Sequence, residues 1–141
     1  MKNYDEKMMQ FLNENNWILA TMGEEPYASP YGFKMVLPDG RLAIAAIFMT
    51  RAIENIRANG KASISVCGQG EAYRFSGTVS YLESGPEVEA VKEMVEQRSA
   101  AMAAANPGAP QRKRVVKGAV VFDPVRLTVI SPGPANQTEL W

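Results

Sequence analysis

Hydrophobic and polar residues follow two different spacings along the first third of the chain. Residues 4–15 carry apolar side chains at helical spacing with charged residues between them, which predicts an amphipathic helix. Residues 17–22 form an apolar segment of strand length. A second strand is predicted over 27–37, interrupted near Pro30 and Gly32, since proline in a strand indicates an edge or a bulge.

The remainder of the chain continues mostly as strands. Pro38-Asp39-Gly40 predicts a hairpin turn, and Thr50 stands at the N-cap position of a short helix that Asn59-Gly60 ends in a left-handed conformation. A longer helix is predicted to open at Ser84-Gly85-Pro86 and to run to about residue 104. The remaining predicted segments are strands at 41–48, 61–67, 72–82, 115–122 and 125–131, a helix at 51–58, and a tail at 132–141. This order predicts a mainly β protein, a small antiparallel barrel with flanking helices, as one domain over residues 1–141.

Composition narrows the classes of partner and compartment. The 141 residues include 15 basic and 15 acidic side chains, so the net charge is zero and no nucleic-acid partner is expected, although the local patch Arg112-Lys113-Arg114 is basic. The one cysteine, Cys67, excludes an internal disulfide and is expected to be a small buried side chain. No apolar run reaches the length of a membrane span, and acidic residues near the N-terminus do not suit a signal peptide. We therefore expect a cytoplasmic protein without a membrane partner.

The chain contains no histidine, and this removes several kinds of chemistry at once. Ser-His-Asp and Cys-His catalysis, histidine-ligated zinc and histidine-ligated haem are all excluded. No metal site is predicted, and no side chain is identified as a catalytic acid or base. Such a chain is suited to binding a cofactor that carries the reaction.

Several short segments, taken in order, carry a family resemblance that covers most of the chain. The resemblance is to the FMN-binding split barrels related to pyridoxamine 5′-phosphate oxidase, and within them most closely to the small FMN-binding proteins of sulfate-reducing bacteria. It implies an antiparallel split barrel with FMN held at a homodimer interface. The matching segments are Ile18-Leu19-Ala20-Thr21 with Pro26, Pro38-Asp39-Gly40-Arg41-Leu42, residues 49–59, Tyr73-Arg74-Phe75-Ser76-Gly77, Thr128-Val129-Ile130-Ser131, and Gln137-Thr138-Glu139-Leu140.

Thr50 and Arg51 are the predicted site of the FMN phosphate. A hydroxyl, a guanidinium and the free N–H groups of a helix N-terminus meet at this point, and together they favour an anion. In the resembled family this position holds the phosphate. The alternative is an ordinary N-cap followed by a solvated arginine.

Two further segments are predicted to contact the flavin ring. The interrupted strand Ser29-Pro30-Tyr31-Gly32-Phe33 offers backbone groups and aromatic rings, with a structural bulge as the alternative. Pro30 and Tyr31 replace the polar residues that the family usually has here, so Lys34 is considered as an additional phosphate contact. Ala45-Ala46-Ile47 precedes the phosphate helix, where small residues leave room for a flavin; the alternative is a tightly packed barrel interior.

The resemblance extends to the tail and to the assembly. C-terminal residues in the family cover the partner's flavin, so Trp141 is predicted to lie near the ring, with disorder as the alternative. A homodimer is expected because a barrel this small leaves little interior room for a flavin. The expected function is that of a non-covalent FMN-binding redox protein, a small reductase or an electron carrier with a small-molecule or protein partner. A pyridoxamine 5′-phosphate oxidase-like enzyme, and a non-catalytic module for flavin, deazaflavin or haem, are the alternatives.

Overall fold

The computed structural model describes residues 3–141, which form three helices and seven strands. The helices are α1 (Glu6–Glu14), α2 (Arg51–Ala58) and α3 (Pro86–Ala105). The strands are β1 (Trp17–Met22), β2 (Pro26–Tyr31), β3 (Lys34–Val36), β4 (Leu42–Ala46), β5 (Lys61–Gly68), β6 (Glu71–Leu82) and β7 (Gly118–Val129). None of the helices within residues 3–141 has the length and apolar character needed to cross a membrane.

The seven strands form one antiparallel sheet in the order β2-β1-β5-β6-β7-β4-β3. Its two edge strands, β2 and β3, are consecutive in the chain and are separated only by Gly32 and Phe33. In a flat sheet these edges would lie roughly 29 Å apart, from six spacings of about 4.8 Å. Three backbone steps span at most about 11 Å, so the sheet must curl until its edges approach each other. The predicted mainly β split barrel with flanking helices is confirmed.

The curled sheet separates two groups of buried apolar side chains. The larger group fills the barrel interior and includes Trp17, Phe75 and Phe122, all fully buried. The smaller group lies on the outer face of β4 and β7, where α3 covers it with Val88, Val91 and Val95. Side chains of β4 alternate between the two groups, because successive residues of a strand point to opposite faces.

Helix α1 closes one end of the barrel through contacts at both of its ends. Asp5 caps its N-terminus, accepting a 2.8 Å hydrogen bond from the Met8 N–H. At the other end the buried Lys34 ammonium donates to the Asn13 carbonyl at 2.9 Å, where a cation also suits the helix dipole. Burial, together with the charge of Arg98, lowers the pKa of Lys34 to about 8. Lys34 therefore anchors α1, and its ammonium already has a partner.

The interrupted strand and the last strand differ from the sequence prediction. The predicted strand 27–37 is split at Gly32-Phe33 into β2 and β3, while Pro30 lies within β2, where an edge strand tolerates proline. The predicted strands 115–122 and 125–131 form one strand, β7, with a register shift opposite Ser76 and Gly77. Pro124 is accommodated there, because a bulge removes the need for its missing N–H.

Two local predictions were wrong. Asn59 is extended, with φ −147°, rather than part of a left-handed stop, and its N–H donates to the Asn55 carbonyl at 2.8 Å. Cys67 is exposed, since Val66 takes the inward position on β5 and the next side chain must point outward. Cys67 shares its face of β5 with Lys61, Ser63 and Ser65, so the alternation of the strand already indicated an outward position.

The C-terminal tail is folded back against the barrel. The Leu127 N–H donates to the Trp141 carbonyl at 2.8 Å, and the Leu140 N–H donates to the Leu127 carbonyl at 2.7 Å. The Trp141 ring lies 6.2 Å from the Tyr4 ring and 6.1 Å from the Phe75 ring, measured between centroids. The tail thereby covers one opening of the barrel interior.

Candidate functional site

A cavity of about 260 Å³ lies where the chain crosses from one sheet edge to the other. Its wall is formed by three segments that are distant in sequence. They are the end of β2 with the link that follows it, the end of β4 with the residues after it, and Arg114, which precedes β7. Seven of the predicted flavin contacts lie in its wall. The lining residues are Ser29, Pro30, Tyr31, Gly32, Phe33, Ala45, Ile47, Phe48 and Arg114.

The alternation of β4 decides which of its residues reach this cavity. Ala45 faces the α3 side of the sheet and lines the cavity, while Ala46 points into the barrel interior and is fully buried there. Ile47 follows the end of the strand and lines the cavity as well. Ala46 therefore contributes barrel packing in this position, the alternative considered for the segment, and lies outside the cavity wall.

The two-residue link between β2 and β3 offers backbone groups to the cavity. Its N–H groups, those of Gly32 and Phe33, donate no hydrogen bond within residues 3–141. The Phe33 carbonyl accepts from the Ala45 N–H at 3.0 Å, which fixes the link against the end of β4. Free N–H donors beside an aromatic ring suit a planar ligand with carbonyl acceptors at one edge.

Two arginines bracket the same link, and the sequence analysis did not single them out as site residues. The Arg98 guanidinium lies 5.8 Å from the Phe33 ring centroid and donates to the Gly32 carbonyl at 2.6 Å. The Arg114 guanidinium lies 5.0 Å from the same ring. Neither forms an ion pair within residues 3–141. These contacts join residues more than 60 positions apart, so no local pattern predicts them. The only related feature of the sequence was a basic stretch without acidic residues.

Thr50 and Arg51 lie at the start of α2, just beyond the cavity wall. Two backbone steps of at most 3.8 Å separate Phe48 from Thr50, so their Cα atoms are within about 8 Å. Thr50 occupies the N-cap position, yet its hydroxyl makes no capping hydrogen bond. Arg51 is exposed and forms no ion pair within residues 3–141. The hydroxyl, the guanidinium and the first-turn N–H groups are thus available to an anion.

Phe48 is the most exposed large hydrophobic side chain at this site. Its ring is 92% exposed, although it borders the cavity between the buried segments of β4 and α2. Its ring is therefore accessible from solvent beside the cavity. Trp141 is absent from the cavity wall and contacts Tyr4 and Phe75 of its own chain.

No group of three or more Cys, Asp or Glu side chains in the described part of the chain is arranged to hold a metal ion. Tyr31 is the titratable residue of the cavity wall with a shifted pKa, which burial raises above its ordinary value. The phenol therefore stays protonated at neutral pH. It can donate a hydrogen bond but does not serve as a base.

Many solved structures share this fold, among them the following three. HupZ of Group A Streptococcus is 22% identical, with a TM-score of 0.73, over 95% of this chain and 98% of that one. An FMN-binding protein from Syntrophomonas wolfei is 17% identical, with a TM-score of 0.70, over 91% and 86%. A pyridoxamine 5′-phosphate oxidase-related, FMN binding protein from Nostoc punctiforme is 17% identical, with a TM-score of 0.57, over 89% and 80%.

At these identities the structural comparisons establish the fold and nothing finer. Comparison with curated protein sequences finds no match. A family model described as pyridoxamine 5′-phosphate oxidase matches residues 4–122, which is most of the chain and includes the whole cavity wall. The chain therefore belongs to the pyridoxamine 5′-phosphate oxidase family.

Proposed function

We propose that this protein binds FMN without a covalent bond and works as a small redox flavoprotein. The observation that carries the proposal is the cavity at the β2–β3 link. There Ser29–Phe33, Ala45 and Ile47 line one wall beside free backbone donors. An apolar and aromatic wall with a few polar groups is the usual form of a cofactor site. FMN-binding proteins with the same fold support this choice of ligand.

The residues of this chain take separate parts in holding the cofactor. The ring lies against Phe33, Ala45 and Ile47, with the Gly32 and Phe33 N–H groups facing its polar edge. The phosphate lies at Thr50 and Arg51, where the available hydroxyl and guanidinium give charge-assisted hydrogen bonds. When bound, the flavin supplies hydride or single-electron transfer, and the protein positions it and shields it from water.

A second copy of the chain completes the site. The cavity of about 260 Å³ is smaller than the roughly 300–1,000 Å³ of typical ligand pockets, so one protomer encloses only part of a flavin. Phe48, exposed beside the cavity, supplies an apolar contact for the partner. A homodimer with FMN at its interface, and with Trp141 near the partner's ring, is consistent with both features.

The proposed redox role takes one of two forms, a small reductase or an electron carrier. In either form we propose that the protein works in the cytoplasm with a small-molecule or protein partner. The specific likeness to the small FMN-binding proteins of sulfate-reducing bacteria belongs to the same proposal. A pyridoxamine 5′-phosphate oxidase activity is the second candidate, since the family model carries that description. Turnover of pyridoxamine 5′-phosphate with oxygen, measured by peroxide release, distinguishes this enzyme from a carrier.

The test of FMN binding uses the purified protein and three ligands. Flavin fluorescence is titrated with FMN, riboflavin and a deazaflavin, and the expected result is saturable binding with FMN preferred over riboflavin. Arg51→Met removes the phosphate contact and is expected to abolish most of that preference, about tenfold, while riboflavin still binds. Lys61→Met, which removes an exposed charge on β5, is the matched control. A protein that binds none of the flavins, or that shows a haem Soret band instead, contradicts the proposal.

A further inference from the structure

A second cavity, of about 350 Å³, lies between the C-terminal half of α3 and the segment that leads to β7. Its wall combines small apolar side chains with two guanidinium groups. None of the proposed flavin contacts lies in that wall. The lining residues are Ser99, Met102, Ala103, Ala105, Asn106, Ala109, Pro110, Gln111, Arg112 and Arg114.

The charged side chains in the wall of this cavity, Arg112 and Arg114, are both positive. Residues 97–122 contain five basic side chains (Arg98, Arg112, Lys113, Arg114 and Lys117) and no aspartate or glutamate, although the whole chain is neutral. None of the five forms an ion pair within residues 3–141. The Arg98 charge also acts on its neighbours, since it helps to lower the pKa of Lys34.

The protein itself balances little of this charge. Arg114 has one polar side-chain partner, the Ser99 hydroxyl at 3.4 Å, and its guanidinium otherwise lies over the Phe33 ring. The C-terminal end of α3 carries a negative partial charge of about half an elementary unit, which is less than the charge of one guanidinium. The Arg98 guanidinium lies near the same Phe33 ring and adds a second positive charge close to Arg114.

We propose that this second cavity binds a small organic acid, with its carboxylate at Arg112 and Arg114 and its apolar body on Met102, Ala103 and Pro110. Arginine pairs with a carboxylate through two parallel hydrogen bonds, which a hydroxyl partner does not replace. Met102 is 53% exposed, so the apolar wall is open to a ligand. This site is separate from the proposed FMN site and does not depend on it, although Arg114 lines both cavities.

The experiment measures binding to the flavin-free protein by two-dimensional amide NMR, at constant ionic strength. Hexanoate has both the carboxylate and the apolar chain, acetate has only the carboxylate, and hexanol has only the apolar chain. Hexanoate is expected to shift the amide signals of Ala103 and Ala109 in a saturable way, with an affinity at least about tenfold above those of acetate and hexanol. The proposal is overturned if hexanol or acetate binds with the same affinity as hexanoate.

Two variants locate the binding. Arg114→Met keeps an unbranched apolar side chain and removes the guanidinium charge, so hexanoate affinity is expected to fall about tenfold. Lys61→Met removes an exposed charge on the distant strand β5, and it is expected to leave the affinity unchanged. If hexanoate affinity falls equally in the two variants, the loss reflects only the change in net charge, and the proposed site is contradicted. Because the assay contains no flavin, a failure here leaves FMN binding untouched, and the converse holds as well.

Discussion

The guanidinium of Arg98 donates a 2.6 Å hydrogen bond to the carbonyl of Gly32, 66 residues earlier in the chain. Gly32 belongs to the two-residue link by which the chain passes from one edge of the sheet to the other. The same guanidinium lies 5.8 Å from the ring of Phe33, the other residue of the link. Helix α3 thereby fixes the backbone of a link that lines the candidate flavin cavity.

Replacing Arg98 by methionine is expected to weaken FMN binding and to lower stability slightly. The hydrogen bond and the cation–π contact are solvent-exposed, so the free energy of unfolding should fall by only about 1 kcal/mol. FMN affinity should fall by about three- to tenfold because the link loses its fixed position. Urea unfolding and flavin titration measure the two effects. Arg57→Met, which removes a similar contact over Tyr81 and an exposed ion pair with Glu83 outside the cavity wall, should change stability alone. Equal FMN affinity in both variants contradicts a positioning role for Arg98.

Phe48→Ser is expected to dissociate the proposed dimer without unfolding the chain. A ring that is 92% exposed contributes little to the stability of a single protomer, so the change in unfolding free energy should stay within about 0.5 kcal/mol. In a dimer the same ring would be buried, and its loss should raise the dissociation constant by at least about tenfold. Sedimentation at several concentrations measures this. Val125→Ser, on a 62% exposed side chain outside the cavity wall, is the control. If the dissociation constant of the dimer is the same in Phe48→Ser and in the wild type, the interface does not include Phe48.

Trp141→Ala is expected to destabilise the protein, because the ring packs against Tyr4 and Phe75 at the barrel opening. The loss should be about 2 kcal/mol, below the roughly 3–5 kcal/mol of a fully buried aromatic residue. Leu140→Ala, on a half-exposed neighbour, should cost less than about 1 kcal/mol. The proposed contact with the partner's flavin adds a second result, a change in the flavin absorption spectrum and affinity. A spectrum that does not change in folded Trp141→Ala leaves Trp141 with a packing role alone.

The stability of the protein is expected to rise as the pH increases from 8 to 10, because the cost of burying the Lys34 charge disappears. Its pKa falls from 10.5 to about 8 on folding, so in this range the unfolded chain binds more protons than the folded chain. The free energy of unfolding must then rise with pH, by at most about 1.4 kcal/mol per pH unit. Above pH 10 the opposite effect of Tyr4 begins, since its pKa is raised to about 12.

The measurement is urea unfolding at intervals from pH 7 to pH 10, in the wild type and in Lys34→Met. The variant has no ammonium proton to lose at this position, so its stability should not rise over this range. Lys61→Met, on an exposed lysine, should retain the rise. A rise of the same size in Lys34→Met assigns it to another group.

The strands and most of the candidate flavin residues were predictable from the sequence, but their local geometry was not. The periodic patterns placed β4, β5, β6 and the helices within a few residues, since these segments alternate or repeat clearly. The bulge that merges two predicted strands into β7 depends on the partner strand, which a local pattern does not include.

The class of protein followed from the sequence alone: a mainly β chain without histidine, whose ordered segments resemble the family related to pyridoxamine 5′-phosphate oxidase. Which residues meet depended on the tertiary structure. Ala45 reaches the cavity while Ala46 does not, and Arg98 and Arg114 come to lie on Phe33 from positions far along the chain. Local patterns record the spacing of side chains on one element. Contacts between elements arise only when the sheet curls and the two-residue link brings its edges together.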